Sequence, residues 1–334
     1  MKTSVYEVFG VGAPFDPTFS LVTSPVLPPL ALAALRLLLA LYGTVFVLFR
    51  LIYEGVRDHT DAAFFSYFTD LSYIGLLAYF WAAGAQTLSY ARAQRTHPLA
   101  PSYALQRWPR ALQAAHLLLQ SSALAFPLLV TAVFWGVLAG PDTLATRYAA
   151  WVNVSEHALN SGFVALEVVL SGAAPALPRR ARSGVAMPWA HLPLLLVLLA
   201  GYLGVASITS ATQGFYPYAF LDPHTQGGTL AAYIVGIAAG ACAAFVLVRY
   251  AMLGRHLLAL YFTRNSQQNE SSFFGASTSV LDFASVAGGG GGGAGGGGGG
   301  GGERKGSKGD VEALEDWEEV GRPSMGSGER GVAL

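Results

Sequence analysis

Apolar residues along this chain come in long unbroken blocks rather than at alternate positions or in short clusters. A helix needs about 20 mostly apolar residues to cross the hydrocarbon core of a bilayer. Six blocks reach that length, at 29–52, 63–86, 113–139, 147–172, 188–210 and 229–251, the second and fourth being the least apolar. The pattern predicts an all-α polytopic membrane protein, a bundle of about six transmembrane helices over residues 29–262. A segment 1–28 precedes it and a tail 263–334 follows. Polar positions inside the fourth block interrupt the rule. In WVNVSEHALNSGFVALE, residues 151–167, Asn153, Glu156, His157, Asn160 and Glu167 advance by 3, 1, 3 and 7. On a helix of 3.6 residues per turn they share one face. An ionised side chain at the bilayer centre costs about 2.5–3.5 kcal/mol even on the lenient insertion scale, so that face is expected to look into the bundle.

Composition strengthens the membrane reading. Of 334 residues, 53% are hydrophobic and only 12% charged, about half the charged share of soluble domains. Positive residues then set an orientation. Arg92, Arg95, Arg107 and Arg110 follow the second block, Arg179, Arg180 and Arg182 the fourth, and Arg255, His256 and Arg264 the sixth. The alternate connections are mixed: Glu54, Arg57, Asp58 and Asp61, then Asp142 and Arg147, then Asp222 and His224. Both termini are therefore expected in the cytosol, in the endoplasmic reticulum or the plasma membrane, and neither sequon, at Asn153 or Asn269, is expected to carry a glycan. No compact apolar core follows Lys2, so the first span is expected to act as an uncleaved anchor.

The single cysteine, Cys242, excludes intrachain disulfides and cysteine metal clusters. No His/Cys/carboxylate spacing resembles a zinc site, so no metal and no cofactor is expected. Residues 288–302 are glycine apart from Ala294, without the Lys-Ser/Thr and helix of a phosphate loop. They read as a flexible, disordered tether. Topology explains the basic loops, and no nucleic-acid partner is expected. In the acidic segment 310–320, DVEALEDWEEV, Val311, Leu314 and Trp317 recur at helical spacing. That is either a solvated tail or a short helix for a protein partner. Gly236 and Gly240 are read as a helix-packing pair.

Other blocks offer groups at matching depths. Thr69 and Asp70 open the second span; Ser207, Thr209 and Ser210 close the fifth; His116 lies in the third. Arg36 and Glu167 lie at comparable depth and are expected to form a structural ion pair. Intramembrane Ser and Thr mostly bond back to their own helix or bridge to a neighbour, which is the plain explanation of Thr69. Glu156 and His157 are divided between structure and function.

Four segments in the same order carry a resemblance: YFTDL at 67–71, LAFPLLVTAVFWGVL at 124–138, WVNVSEH at 151–157 with Glu167 beyond it, and TQGFYPYAFL at 212–221. Across residues 60–225 the chain resembles the androgen-induced, androgen-dependent tissue-factor-pathway-inhibitor-regulator family of multispanning membrane proteins, and more weakly the rolling-stone-like proteins. The resemblance implies a lipid hydrolase with an intramembrane threonine nucleophile and a histidine, cleaving fatty acid esters of hydroxy fatty acids. The family threonine follows an aromatic-X pair, as Thr69 does after Tyr67 and Phe68. The family histidine closes a Trp-X-Asn-X-X-X-His string, matched by Trp151, Asn153 and His157. An alignment on Asp70-Leu71 puts Tyr67 at the nucleophile position instead, and Val154 stands where the family often has a second histidine.

Chemically, a threonine hydroxyl needs a base to take its proton, and His157 is the natural one. Glu156 points about 100° away on the helix, while Asn153 or Asn160 is placed to orient the ring or donate to an oxyanion. The expected partners are the bilayer and a lipid ester. Two alternatives stay open: a proton-coupled carrier using Asp70, Glu156, His157 and Glu167 as a relay, and a non-catalytic membrane organiser working through its tail.

Overall fold

The computed structural model describes residues 4–57, 61–172 and 186–287, and every secondary-structure element among them is helical. The long elements are α1 (Pro29–Arg57), α2 (Phe68–Thr96), α3 (Arg110–Val133), α4 (Arg147–Val154), α5 (Asn160–Leu170), α6 (His191–Gln213) and α7 (Thr229–Ala287). A π-turn, Phe134–Leu138, prolongs α3, and a second, Ser155–Leu159, joins α4 to α5. The chain divides into a unit ending at Phe274 and a second from Gly275, of which the described part is helical to Ala287. The glycine tract, the acidic segment 310–320 and the basic run at 179–182 lie outside the described residues.

Four stretches are long and apolar enough to cross a membrane: Pro29–Arg57, Arg110–Leu138, His191–Gln213 and Thr229–Tyr261. Their outer faces agree. On α1, Leu38, Leu41, Val45, Leu48 and Ile52 are all exposed at alternating steps of three and four, a continuous apolar stripe suited to lipid. The structure thus supports a multi-pass membrane protein while falling short of six qualifying spans. The second and fourth expected blocks are the exceptions, for a physical reason. Helix α2 runs from Phe68, five residues later than its block, because 61–66 form a 3₁₀ turn and Tyr67 is extended. It buries Asp70, Gln86 and Thr87. The fourth block is cut by its π-turn into α helices of 8 and 11 residues.

Helices α1 and α2 pack along most of their length because glycine permits it. A Cβ at Gly43 would lie 2.2 Å from Leu77 Cδ2, and one at Gly84 would lie 2.7 Å from Leu37 Cδ2. Helix α3 packs on α2, and α5 in turn on α3. Around this contact Phe46, Tyr73, Leu76, Phe80, Leu124 and Phe245 form the centre of the core, each no more than 2% exposed.

Residues 4–28 close one end of the bundle. Val11 and Val22 are fully buried with Tyr90, Tyr103 and Leu105. The Asp16 carboxylate accepts from the Ser20 amide at 2.8 Å, the Leu21 amide at 3.1 Å and the Tyr103 hydroxyl at 2.7 Å. His191, at the start of α6, stacks on Phe9 and bonds through its two ring nitrogens to Ser121 and the Phe9 carbonyl.

Candidate functional site

The polar stripe of the fourth block faces inward, but the π-turn changes its register. The π-turn buries Ser155, Glu156 and His157 in succession, so neighbours pack on more than one side of the helix at this level. Each then meets a different neighbour. Ser155 pairs with the Tyr42 hydroxyl at 2.9 Å. Glu156 bonds to Arg50. His157 lies face to face with Phe134, ring centroids 3.5 Å apart and planes 5° from parallel, while its carbonyl accepts from Trp135 Nε1 at 2.8 Å. The imidazole Nδ1 is buried with no hydrogen-bond partner among the described residues.

Thr69 occupies the first turn of α2, where a backbone N–H has no partner within the helix. Tyr218 fills that need: its hydroxyl accepts from the Thr69 amide at 3.3 Å and shares a hydrogen bond with Thr69 Oγ1 at 3.2 Å. Tyr218 sits in the loop after α6, which ends at the left-handed Gly214 (φ 78°). It is held by parallel stacking on Phe220 and an edge contact with Tyr67. Burial pushes the Tyr218 phenol up to about 12, so it carries its proton at neutral pH. Thr69 and Tyr218 line an apolar cavity of 210 Å³ whose other walls include Phe68, Phe134, Tyr202 and Phe220. His157 is absent from that lining and makes no hydrogen bond to Thr69; the Phe134 ring, which does line it, stands on His157's face.

Arg50, not singled out in the sequence, organises a buried ion centre here. Its guanidinium donates to Asp70 at 2.5 Å, to Glu54 at 2.7 Å and to Glu156, with Asp70 and Glu156 side chains 1% and 4% exposed. The signal was the Arg50–Glu54 spacing of four at the end of an apolar block. A second centre lies 14 residues earlier on α1, about 21 Å along its axis. There Arg36 binds Glu167 through Nε at 3.0 Å and through a terminal nitrogen at 2.5 Å. Thr87, the Leu21 carbonyl and the Tyr79 hydroxyl complete it. Such completion is what a fully buried pair requires.

The remaining predicted residues are placed elsewhere. Asn153 donates to the Thr143 carbonyl at 2.8 Å, and Asn160 accepts from Thr131 at 3.0 Å, so neither amide is bonded to the imidazole. His116 neighbours Tyr79, beside the Arg36 centre. Thr209 donates to Ser66 at 2.9 Å, and Ser207 bonds back to its own helix. Among the described residues no cluster of three or more His, Cys, Asp or Glu has metal-binding geometry.

No curated protein and no solved structure matches the chain. The family model described as FAR-17a/AIG1-like protein matches residues 34–252, taking in most of α1 through the greater part of α7's apolar stretch and every charged residue of both ion centres. With two thirds of its length so matched, the chain belongs to the FAR-17a/AIG1-like family, the androgen-induced family of its sequence resemblance.

Proposed function

We propose that this protein is an intramembrane hydrolase of lipid esters, of the fatty acid ester type, with Thr69 as nucleophile and His157 as general base. The observation that carries this reading is the placing of Thr69. Its hydroxyl is bonded to Tyr218 at the wall of an apolar cavity able to take an acyl chain, and one aromatic ring separates that cavity from a buried histidine. The reading takes all six blocks as spans, with α2 and the α4–α5 pair as the polar inner helices and both termini cytosolic.

In the reaction Thr69 Oγ attacks the ester carbonyl and His157 takes its proton, then gives it to the departing alcohol. Water, activated by the same imidazole, releases the acid from the acyl-threonine. The Phe134 ring must turn aside for His157 to reach the hydroxyl, and Tyr218 holds the hydroxyl in place meanwhile. The test is hydrolysis of a fatty acid ester by the purified full chain. Thr69→Ala and His157→Ala abolish turnover, and Tyr218→Phe lowers it about tenfold, one hydrogen bond's worth. Turnover unchanged in well-folded Thr69→Ala and His157→Ala removes the hydrolase.

One observation favours a second reading, a proton-coupled carrier. Three carboxylates, those of Glu54, Asp70 and Glu156, surround the single guanidinium of Arg50. A buried group of that composition holds a proton more readily than a net charge of −2. Proton flux into proteoliposomes, lost in Asp70→Asn with ester hydrolysis absent throughout, would select it.

A further inference from the structure

The end of the bundle remote from Thr69 contains a second, larger cavity of 580 Å³. The N-terminal segment (Gly10, Phe15), the end of α5 (Ser171, Gly172) and residues 186–189 wall it, and Arg249 and Arg255 enter it from α7. We propose that this cavity binds a phosphate-bearing anion, supplied by the headgroup of a phospholipid.

Charge carries the argument. Four ionisable acids and bases line the cavity: Glu7, Asp16, Arg249 and Arg255. The Asp16 carboxylate is already used by the Ser20 and Leu21 amides and the Tyr103 hydroxyl. Glu7 is folded back onto the Ser4 amide at 3.4 Å in a capping box. Neither arginine has a carboxylate partner among the described residues, where every ion pair belongs to Arg36 or Arg50. The nearest further carboxylate acting on Arg255 is that of Glu167, which Arg36 already holds through two nitrogens.

The guanidiniums are also positioned. Arg249 donates to the Met187 carbonyl and lies 4.7 Å over the Trp189 ring. Arg255 donates to the Val168 carbonyl at 3.0 Å and rests against Gly172 (φ +120°), where a Cβ would come within 2.1 Å of its Nη2. A guanidinium has five N–H donors, so each carbonyl contact fixes the group and leaves donors for a ligand. Depth supplies the source. Arg249 is 20 residues from the start of α7, about 30 Å along the helix, one hydrocarbon thickness from its other end. Lipid phosphates lie at that level, and basic pockets between helices there take anionic headgroups.

The test follows thermal unfolding of the purified full chain in an uncharged detergent with three probes: dioctanoyl phosphatidylglycerol, dioctanoylglycerol and inorganic phosphate. The phosphatidylglycerol raises Tm at concentrations where dioctanoylglycerol does not, and Arg249→Gln weakens that response about tenfold, as loss of one charge-assisted contact predicts. An equal response to inorganic phosphate assigns the site to a soluble phosphate instead of a headgroup. No response to either phosphate probe, an equal response to dioctanoylglycerol, or an unaltered response in Arg249→Gln overturns the proposal. Should that variant fail to fold, a phosphatidylglycerol with a photoreactive headgroup is cross-linked to the wild-type chain. Adducts within 7–21, 117–121, 171–172, 186–189 or 249–255 support the site, and adducts confined to other segments overturn it. Neither readout involves ester hydrolysis, so the hydrolase and the anion site stand or fall separately.

Discussion

At the residue scale, the protein's inner chemistry rests on two arginines of α1, and only one was visible beforehand. Counting residues from the block ends set Arg36 and Glu167 at comparable depth, and a buried charge must have a partner. Arg50 was hidden because its acids are scattered: Glu54 reads as a loop residue, Asp70 begins another helix, and Glu156 sits on a stripe that looked self-contained. A three-way contact of that sort is set by tertiary packing, which spacing along the chain does not encode. Its importance is measurable. Arg50→Leu leaves Asp70 and Glu156 buried without their cation and is expected to cost about 3–5 kcal/mol, seen as a large fall in Tm. Arg50→Leu combined with Asp70→Leu and Glu156→Leu is expected to recover much of that loss, since an all-apolar replacement removes the unpaired charges as well. Equal stability of the single variant and the wild type would show that the centre adds nothing to the fold.

At the element scale, the existence of the helices followed from block length, and their ends did not. The block at 63–86 became a helix starting at Phe68 because the aromatic-rich residues before it fold as a 3₁₀ turn. The π-turn at Ser155–Leu159 has no signature in WVNVSEHALN; it is fixed by Trp135, Phe134 and Arg50, all from other elements. Close approach of α1 and α2 predicts that Gly84→Val, which pushes Leu37 aside, destabilises by about 1–3 kcal/mol, whereas Gly75→Ala, facing open space, changes Tm little. The docking of residues 4–28 was not legible either, because Gly10, Gly12, Pro14, Pro17, Pro25 and Pro28 break up the apolar residues of a short segment and leave no period to follow. Burial and the Asp16 carboxylate push the Tyr103 phenol far above its ordinary value. The folded state therefore keeps a proton that the unfolded chain releases near pH 10, and stability falls as pH rises beyond that point. Tyr103→Phe is expected to flatten this alkaline limb in a Tm-versus-pH series while lowering Tm at neutral pH through the lost Asp16 hydrogen bond. An alkaline limb as steep as the wild type's would place the proton elsewhere.

At the scale of the whole molecule, the sparse charge and the long apolar blocks announce a membrane protein, and the family follows from four short motifs in order. The molecule arranges its polar groups by level. Arg36 and Glu167 lock one half of the bundle, Arg50 with its three carboxylates locks the other, and Thr69 with Tyr218 opens onto the apolar cavity beside the second. Under the hydrolase proposed above, the two polar centres would hold the helices while the apolar cavity beside the second takes an acyl chain. The central claim, that Thr69 is an activated nucleophile, has a direct test. Membranes containing the full chain are treated with a lipid-like fluorophosphonate and the modified residue is located by mass spectrometry, in the wild type and in Thr69→Ala, Tyr67→Phe and His157→Ala. The account predicts an adduct on Thr69, lost in Thr69→Ala and His157→Ala and kept in Tyr67→Phe. An adduct on Tyr67, or labelling that is absent or equal across the well-expressed variants, would contradict it.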